Sequence, residues 1–165
     1  MEIRRIGRDE WRELRELRLR ALLDAPNAFG STHDQEASDP EDVWRDWAAN
    51  GAAGGSGFAA IAIGPGGWVG MAVGAPHREH PGELGLFAMW VDPSVRGEGI
   101  GRRLVDAVIG WARTAGFGSI RLRATTSNDD AIRLYERCGF LDDGDREPLR
   151  EGSDVFTMSM TRSLG

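Results

Sequence analysis

Residues 83–91 (ELGLFAMWV) form a largely apolar run that stops at Asp92-Pro93, and glycines follow at 97, 99 and 101 before a helical pattern begins. Proline ends a strand because it has no N–H for the ladder. Glycines at such a junction permit a tight turn and a close approach of backbone to a neighbour or ligand. The helical pattern covers residues 99–114, with Ile100, Leu104, Val105, Val108, Trp111 and Ala112 along one face, and Gly116 closes it. Residues 119–124 read as another strand. Strand, crossover helix and strand make a parallel, right-handed unit. The chain must therefore build a sheet with a parallel pair near its centre and helices on its faces.

The flanking segments add to that unit. Residues 2–6 make a short first strand, and Asp9 caps an amphipathic helix with Trp11, Leu14, Leu17 and Ala21 on its apolar stripe, ending near Pro26. Residues 27–38 read as loop. Asp39-Pro40-Glu41-Asp42 is a cap with proline in the first turn, opening a second helix that runs to about Asn50, with Trp44 and Trp47 as core positions. After a glycine-rich connection at 51–57, residues 58–63 and 68–73 flank Gly64-Pro65-Gly66-Gly67 as a β-hairpin. Residues 128–138 form a capped helix closed by Gly139, and residues 154–160 a last strand. At 165 residues, without a repeat or a composition break, the chain is expected to be one domain, residues 1–165.

Composition removes several function classes. The formal charge of -6 disfavours nucleic acid as a partner. All 20 basic residues are arginine, so Schiff-base chemistry and a phosphate loop built on lysine are excluded. The single cysteine, Cys138, permits no internal disulfide and fits a reducing compartment; it reads as a buried packing residue. His33, His77 and His80 lack metal-ligand spacing, so no metal is expected. No apolar run approaches the roughly 18 residues of a membrane span, and the charged start is no secretion signal. No membrane partner and a cytoplasmic location are therefore expected.

The chemistry concentrates at the glycine-rich turn. The first N–H groups of a helix lack internal partners and carry the positive end of its dipole, so an anion, above all a phosphate, is favoured there. Arg96, Arg102 and Arg103 add positive charge. The dinucleotide fingerprint needs its third glycine where Arg102 stands, and that reading fails.

The pattern Arg96-x-x-Gly99-x-Gly101 after Val91-Asp92-Pro93, followed by Asn128-Asp129-Asp130-Ala131-Ile132-Arg133-Leu134-Tyr135-Glu136-Arg137-Cys138-Gly139-Phe140, resembles the GNAT superfamily of acyl-CoA-dependent N-acetyltransferases. The opening helix, with Arg18-Leu19-Arg20-Ala21-Leu22, and Pro26-Asn27-Ala28-Phe29-Gly30 extend the likeness less specifically. The resemblance implies a single-domain α/β (α+β) fold. Its sheet would be mixed and mostly antiparallel, with six to seven strands splayed between the central parallel pair and about four helices on its faces.

It also implies acetyl-CoA as co-substrate. The diphosphate would rest on main-chain N–H groups of the turn formed by Arg96, Gly97, Gly99, Ile100, Gly101 and Arg102. Free main-chain groups around Met89, Trp90 and Val91 would bind the pantetheine arm and polarise the thioester carbonyl. Asn128 would touch the same arm, although a helix N-cap already explains an asparagine there. Tyr135, the only tyrosine in the chain, falls where many members carry the acid that protonates the departing thiolate; packing on its helix's apolar face is the other reading.

The base is less defined. Several members place a glutamate in the strand where this chain has Gly85, whereas Glu83 lies two residues earlier on the same face and would act through water. His33, His77 and His80 are comparable candidates. Residues 96–137 hold eight arginines and five acids, and residues 24–47 hold one arginine and seven acids. With the acidic stretch near the acceptor groove, the resemblance implies a cationic amine acceptor; a solvated helix face is the other reading. Phe29 is a further candidate for the groove. A binding or sensor module with weak catalysis, and a different acyl-CoA donor, stay open beside the acetyltransferase reading. A homodimer is a further implication by analogy with the family.

Overall fold

Alternation of apolar residues builds the sheet, and 3.6-residue periodicity builds the helices that cover it. The computed structural model describes residues 1–165. Seven strands, β1 (Glu2–Arg5), β2 (Phe58–Gly64), β3 (Gly67–Pro76), β4 (Glu83–Val91), β5 (Ser119–Thr125), β6 (Leu141–Pro148) and β7 (Phe156–Ser163), form one sheet in the order β1-β2-β3-β4-β5-β7-β6. Only β4 and β5 pair in parallel, and every other neighbouring pair is antiparallel. Five helices accompany it: α1 (Trp11–Asp24), α2 (His33–Ala37), α3 (Glu41–Gly51), α4 (Ile100–Ala115) and α5 (Asp129–Arg137), with a single 3-10 turn at Pro93–Val95.

The sheet separates two cores. On one face, Leu84 and Leu86 of β4 and Ile120 and Leu122 of β5 pack with Leu104, Val105 and Val108 of α4 and with Tyr135, Cys138 and Phe140. On the other, Ile61, Met71 and Val73 pack with Leu14, Leu17 and Ala21 of α1 and Trp44 and Ala48 of α3. The apolar stripe of α1 is buried as its spacing dictates. Asp9 does not cap this helix. Glu10 holds the N-cap position, and its carboxylate accepts the Gly7 N–H at 2.6 Å and bonds from Arg4 at 2.8 and 2.7 Å. Asp39 likewise supplies no cap to α3; Pro40 holds the N-cap position, ahead of the first helical turn.

Two elements depart from the sequence reading. Within the expected loop at 27–38, Thr32 and Gln35 complete a reciprocal capping box that starts α2. Strand β6 is exposed at all eight positions and forms an outer edge, so it carries no apolar alternation to announce it. No helix is long and apolar enough to cross a membrane.

Candidate active site

The central parallel pairing is short. It runs from Glu83 opposite Ser119 to Leu86 opposite Leu122 and then ends, so residues 87–91 and 123–125 separate as two arms. A bulge in β4 drives the separation. Met71 faces Trp90 and Val73 faces Phe87, so Ala88 and Met89 together oppose Ala72. Ala88 has φ 54°, the only non-glycine residue with positive φ. The bulge also reverses the strand's faces. Leu84 and Leu86 belong to the α4 core, whereas Ala88 and Trp90 belong to the α1 core and Met89 and Val91 turn toward α4.

A cleft of about 750 Å³ opens between the arms, within the usual range for small-molecule sites. Met89, Trp90 and Val91 wall one side, Arg123, Ala124 and Thr125 the other, and the N-terminus of α4 and the face of α5 close the end. Gly97 and Gly99 take left-handed φ of 82° and 79°, which swings the backbone into α4. Gly99 is the N-cap and supplies no side-chain bond, and the first intrahelical bond is Arg103 N–H to Gly99 O at 3.2 Å. The N–H groups of Ile100, Gly101 and Arg102 are thus free for an anion.

Every expected donor-binding residue lines this cleft: Met89, Trp90, Val91, Arg96, Gly97, Gly99, Ile100, Gly101, Arg102 and Asn128, together with Tyr135. Asn128 caps α5, its Oδ1 accepting the Ala131 N–H at 3.2 Å. Tyr135 is buried, with its ring edge-to-face on Phe140 at 6.0 Å. Burial pushes its phenol above the ordinary value, so it stays protonated.

Glu83 is elsewhere. It stands at the start of β4, outside the cleft lining and roughly 20 Å along the strand from Met89. There it accepts Ser119 Oγ–H at 2.7 Å and both Nε–H and Nη2–H of Arg121 at 3.2 and 3.0 Å, with His80 Nδ1 at 3.4 Å. Burial pulls its carboxyl upward, but the Ser119 and Arg121 bonds outweigh it and hold the group below the usual carboxylate range. His77 and His80 lie edge-to-face at 4.7 Å near this end of the strand, and neither they nor His33 line the cleft. Burial, and then the facing His80, push the His77 imidazole below its ordinary value.

Three of the seven acids in the stretch at 24–47 are paired with arginines. Asp24 pairs with Arg96, Glu36 with the buried Arg18 and Glu41 with Arg45, while Asp34 is fully exposed. Phe29 and Trp44 are core residues; Trp47 stacks on Trp44 at 5.5 Å and on Phe87 at 6.4 Å. Cys138 is buried at the C-cap of α5. No group of three or more His, Cys, Asp or Glu residues is placed to hold a metal ion.

Sequence reasoning missed three contributors. Arg123 lines the cleft with Nε bonded to Thr157 Oγ1 at 2.9 Å and Nη1 to Asp145 at 2.9 Å, leaving Nη2 buried and unpartnered. Ala25 and Ala28 line it from the segment after α1. That segment is fastened to the far arm, where Thr125 Oγ1–H donates to Asn27 O at 2.5 Å, and to the β6–β7 connection, where Arg150 Nη2 donates to Pro26 O at 2.6 Å and Phe29 O at 3.1 Å. None of these has a local sequence signal, because each depends on which strands lie side by side.

Comparison with known proteins agrees with this architecture. The family model described as acetyltransferase (GNAT) family matches residues 11–140. The N-alpha-acetyltransferase RimI of Mycobacterium tuberculosis is 37% identical over 83 residues, 49% of this chain and 51% of that protein, so the chain spans about half the length of this relative. An acetyltransferase structure of the GNAT family from Streptococcus pneumoniae superposes with a TM-score of 0.84 at 19% identity, covering 99% of both chains. The structure of YncA from Salmonella typhimurium with its cofactor acetyl-CoA gives 0.76 at 20% identity, covering 100% of this chain and 94% of that one. At these identities the two structures establish the fold.

Proposed function

The chain belongs to the GNAT acetyltransferase family, and from that premise we propose that it transfers the acetyl group of acetyl-CoA to a primary amine of a small molecule, a protein N-terminus or a lysine, by direct attack in a ternary complex. The observation that carries this reading is the cleft itself. Free N–H groups at Ile100, Gly101 and Arg102 lie beside Arg96, at the mouth of a splayed strand pair whose cleft is also lined by Tyr135 of α5. The orphaned donors and the arginines fit a diphosphate, and the gap between the arms fits an extended pantetheine. Bound there, acetyl-CoA supplies an activated thioester.

The residues then divide the work. Main-chain groups freed by the Ala88 bulge orient the pantetheine arm and polarise the carbonyl. The amine nitrogen forms its bond to the carbonyl carbon, and the carbon–sulfur bond breaks as the tetrahedral carbon collapses. Tyr135, kept protonated by burial, donates its hydroxyl proton to the sulfur as charge develops there, and the phenolate then regains a proton from water. The amine's surplus proton passes to water. Glu83, at the far end of β4 on the face that carries Gly85 and the exposed Phe87, is the candidate carboxylate for receiving it through water.

Release of free thiol from acetyl-CoA, screened over amines, polyamines, amino sugars and peptides, tests the reaction. Turnover with an amine supports it. A second reading, an acyl-CoA-binding module, draws on one observation: Asp130 is the only carboxylate lining the cleft, and no histidine lines it. Calorimetry with coenzyme A separates the outcomes. Heat without turnover across the screen favours the binding module, and neither heat nor a melting shift overturns both.

A further inference from the structure

Asp24, the last residue of α1, stands where three parts of the cleft meet. Its Oδ2 accepts the Trp90 Nε1–H and the Arg96 Nη2–H, each at 2.9 Å. Arg96 is held at a second point, its Nε–H donating to Val91 O at 2.8 Å. One turn earlier on α1, Arg20 Nη2 reaches Asp92 Oδ2 at 2.7 Å, while Asp92 Oδ1 accepts the Ser94 N–H at 2.9 Å and so caps the 3-10 turn. The C-terminus of α1 is therefore bolted to the end of β4 and to the connection leading into α4. Beyond Asp24, the chain crosses the cleft: Ala25 and Ala28 line it, Thr125 of the opposite arm holds Asn27, and Arg150 of the β6–β7 connection holds Pro26 and Phe29.

We propose that Asp24 is a positioning residue for the diphosphate cradle: its carboxylate fixes the Arg96 guanidinium beside the Gly97–Gly101 turn and ties that turn to the segment bridging the two arms. The inference rests on the acyl-CoA reading above. Arginine is long, and ordering it on binding costs rotamer freedom. Held by Asp24 and Val91 O, Arg96 presents its remaining Nη1 donors from a fixed place, so less freedom is lost when an anion arrives. Trp90, on the same carboxylate, locks the β4 arm to α1 and keeps the turn at a constant distance from the cleft wall.

The test compares two donors. Acetyl-CoA carries the diphosphate, and acetyl-pantetheine lacks it. Asp24→Ala is expected to weaken acetyl-CoA roughly fivefold or more, with a clearly smaller fall in kcat/KM for acetyl-pantetheine, which feels only the lost Trp90 bond. The double variant Asp24→Ala/Arg96→Ala is expected to be no weaker toward coenzyme A than Arg96→Ala alone, because the two residues act as one unit. Asp24→Asn, which keeps an oxygen able to accept both N–H groups but carries no charge, guards against loss of the fold and should give a smaller loss confined to acetyl-CoA. Equal losses with both donors, additive effects in the double variant, or full coenzyme A affinity in both single variants would each overturn the positioning role. Failure of the wild-type protein to bind coenzyme A would overturn the donor reading instead.

Discussion

Arg121 donates two N–H groups to a single oxygen of Glu83, at 3.2 and 3.0 Å, across the parallel pair that places Glu83 opposite Ser119. Nη1 of the same arginine reaches Asp143 at 2.6 Å and Ser159 at 3.0 Å, so one guanidinium joins β4, β5, β6 and β7. Burial raises the Glu83 carboxyl and the Ser119 and Arg121 bonds more than reverse this, leaving the folded pKa below the unfolded one. A depressed carboxyl stabilises the fold above the unfolded value, about 4.3, and that contribution is lost as pH falls through the folded value. Glu83→Gln should therefore cost about 1–3 kcal/mol at neutral pH and flatten the acid limb of a plot of stability against pH. Denaturant melts at a series of pH values measure it; an acid limb identical to that of the wild type would refute the assignment.

Tyr135 brings a buried phenol to the wall of the cleft and makes no hydrogen bond to another protein group. Loss of the hydroxyl in Tyr135→Phe should slow acetyl transfer about tenfold or more, with coenzyme A affinity unchanged. Because burial raises the phenol above its ordinary value of about 10, the gap between wild type and variant should stay constant from about pH 7 to about pH 9. A variant as fast as the wild type, or a gap that closes on raising the pH in that range, would remove Tyr135 from the mechanism.

The donor side of the cleft is legible because its signals are local. Gly97, Gly99 and Gly101 between an apolar run and an amphipathic helix specify a strand-to-helix turn with free N–H groups wherever the rest of the chain goes. The contacts around Glu83 and across the cleft are not legible, because they are fixed by register. Nothing near Glu83 in sequence reveals that Arg121 lies beside it, and nothing near Asn27 reveals Thr125. Strand β6 escapes notice for a different reason: Asp142, Asp143, Asp145 and Arg146 give it no buried face, and it is held by pairing with β7 and by ion pairs from Arg121 and Arg123 of β5. The capping box of α2 was readable in Thr32 and Gln35, but a five-residue helix that buries nothing leaves no periodicity to draw the eye.

Ala88 is the residue whose backbone the sequence hides most completely, since glycine is the usual occupant of φ 54°. An alanine there carries about 1–2 kcal/mol of strain, offset by the packing of both cores around the bulge. Ala88→Val should lose that much again or more, because a β-branched side chain tolerates the left-handed region least. It should also weaken coenzyme A binding as the freed main-chain groups shift. Ala88→Gly relieves the strain but loosens the unfolded chain, so its stability should stay within about 1 kcal/mol of the wild type. Equilibrium melts order the three proteins; equal stability of the valine variant and the wild type would show that the bulge is not strained.

Gly101 separates packing from anion binding. A Cβ there would stand 3.1 Å from Leu134 Cδ2 and 3.1 Å from Met89 Cε, both tips of flexible side chains that can give way. Gly101→Ala should therefore change stability by no more than about 1 kcal/mol, the tight contact being partly offset by alanine's better helix propensity. Gly101→Asp adds a carboxylate to the first turn of α4, where the dipole favours it by about 0.3–1 kcal/mol, but sets it against the diphosphate. The aspartate variant should melt cooperatively and yet bind coenzyme A at least about a hundredfold more weakly, as several charge-assisted N–H contacts are lost together. Calorimetry on both variants decides the matter: undiminished affinity in a folded aspartate variant would move the anion site away from this turn, and with it the placement of the thioester between the arms.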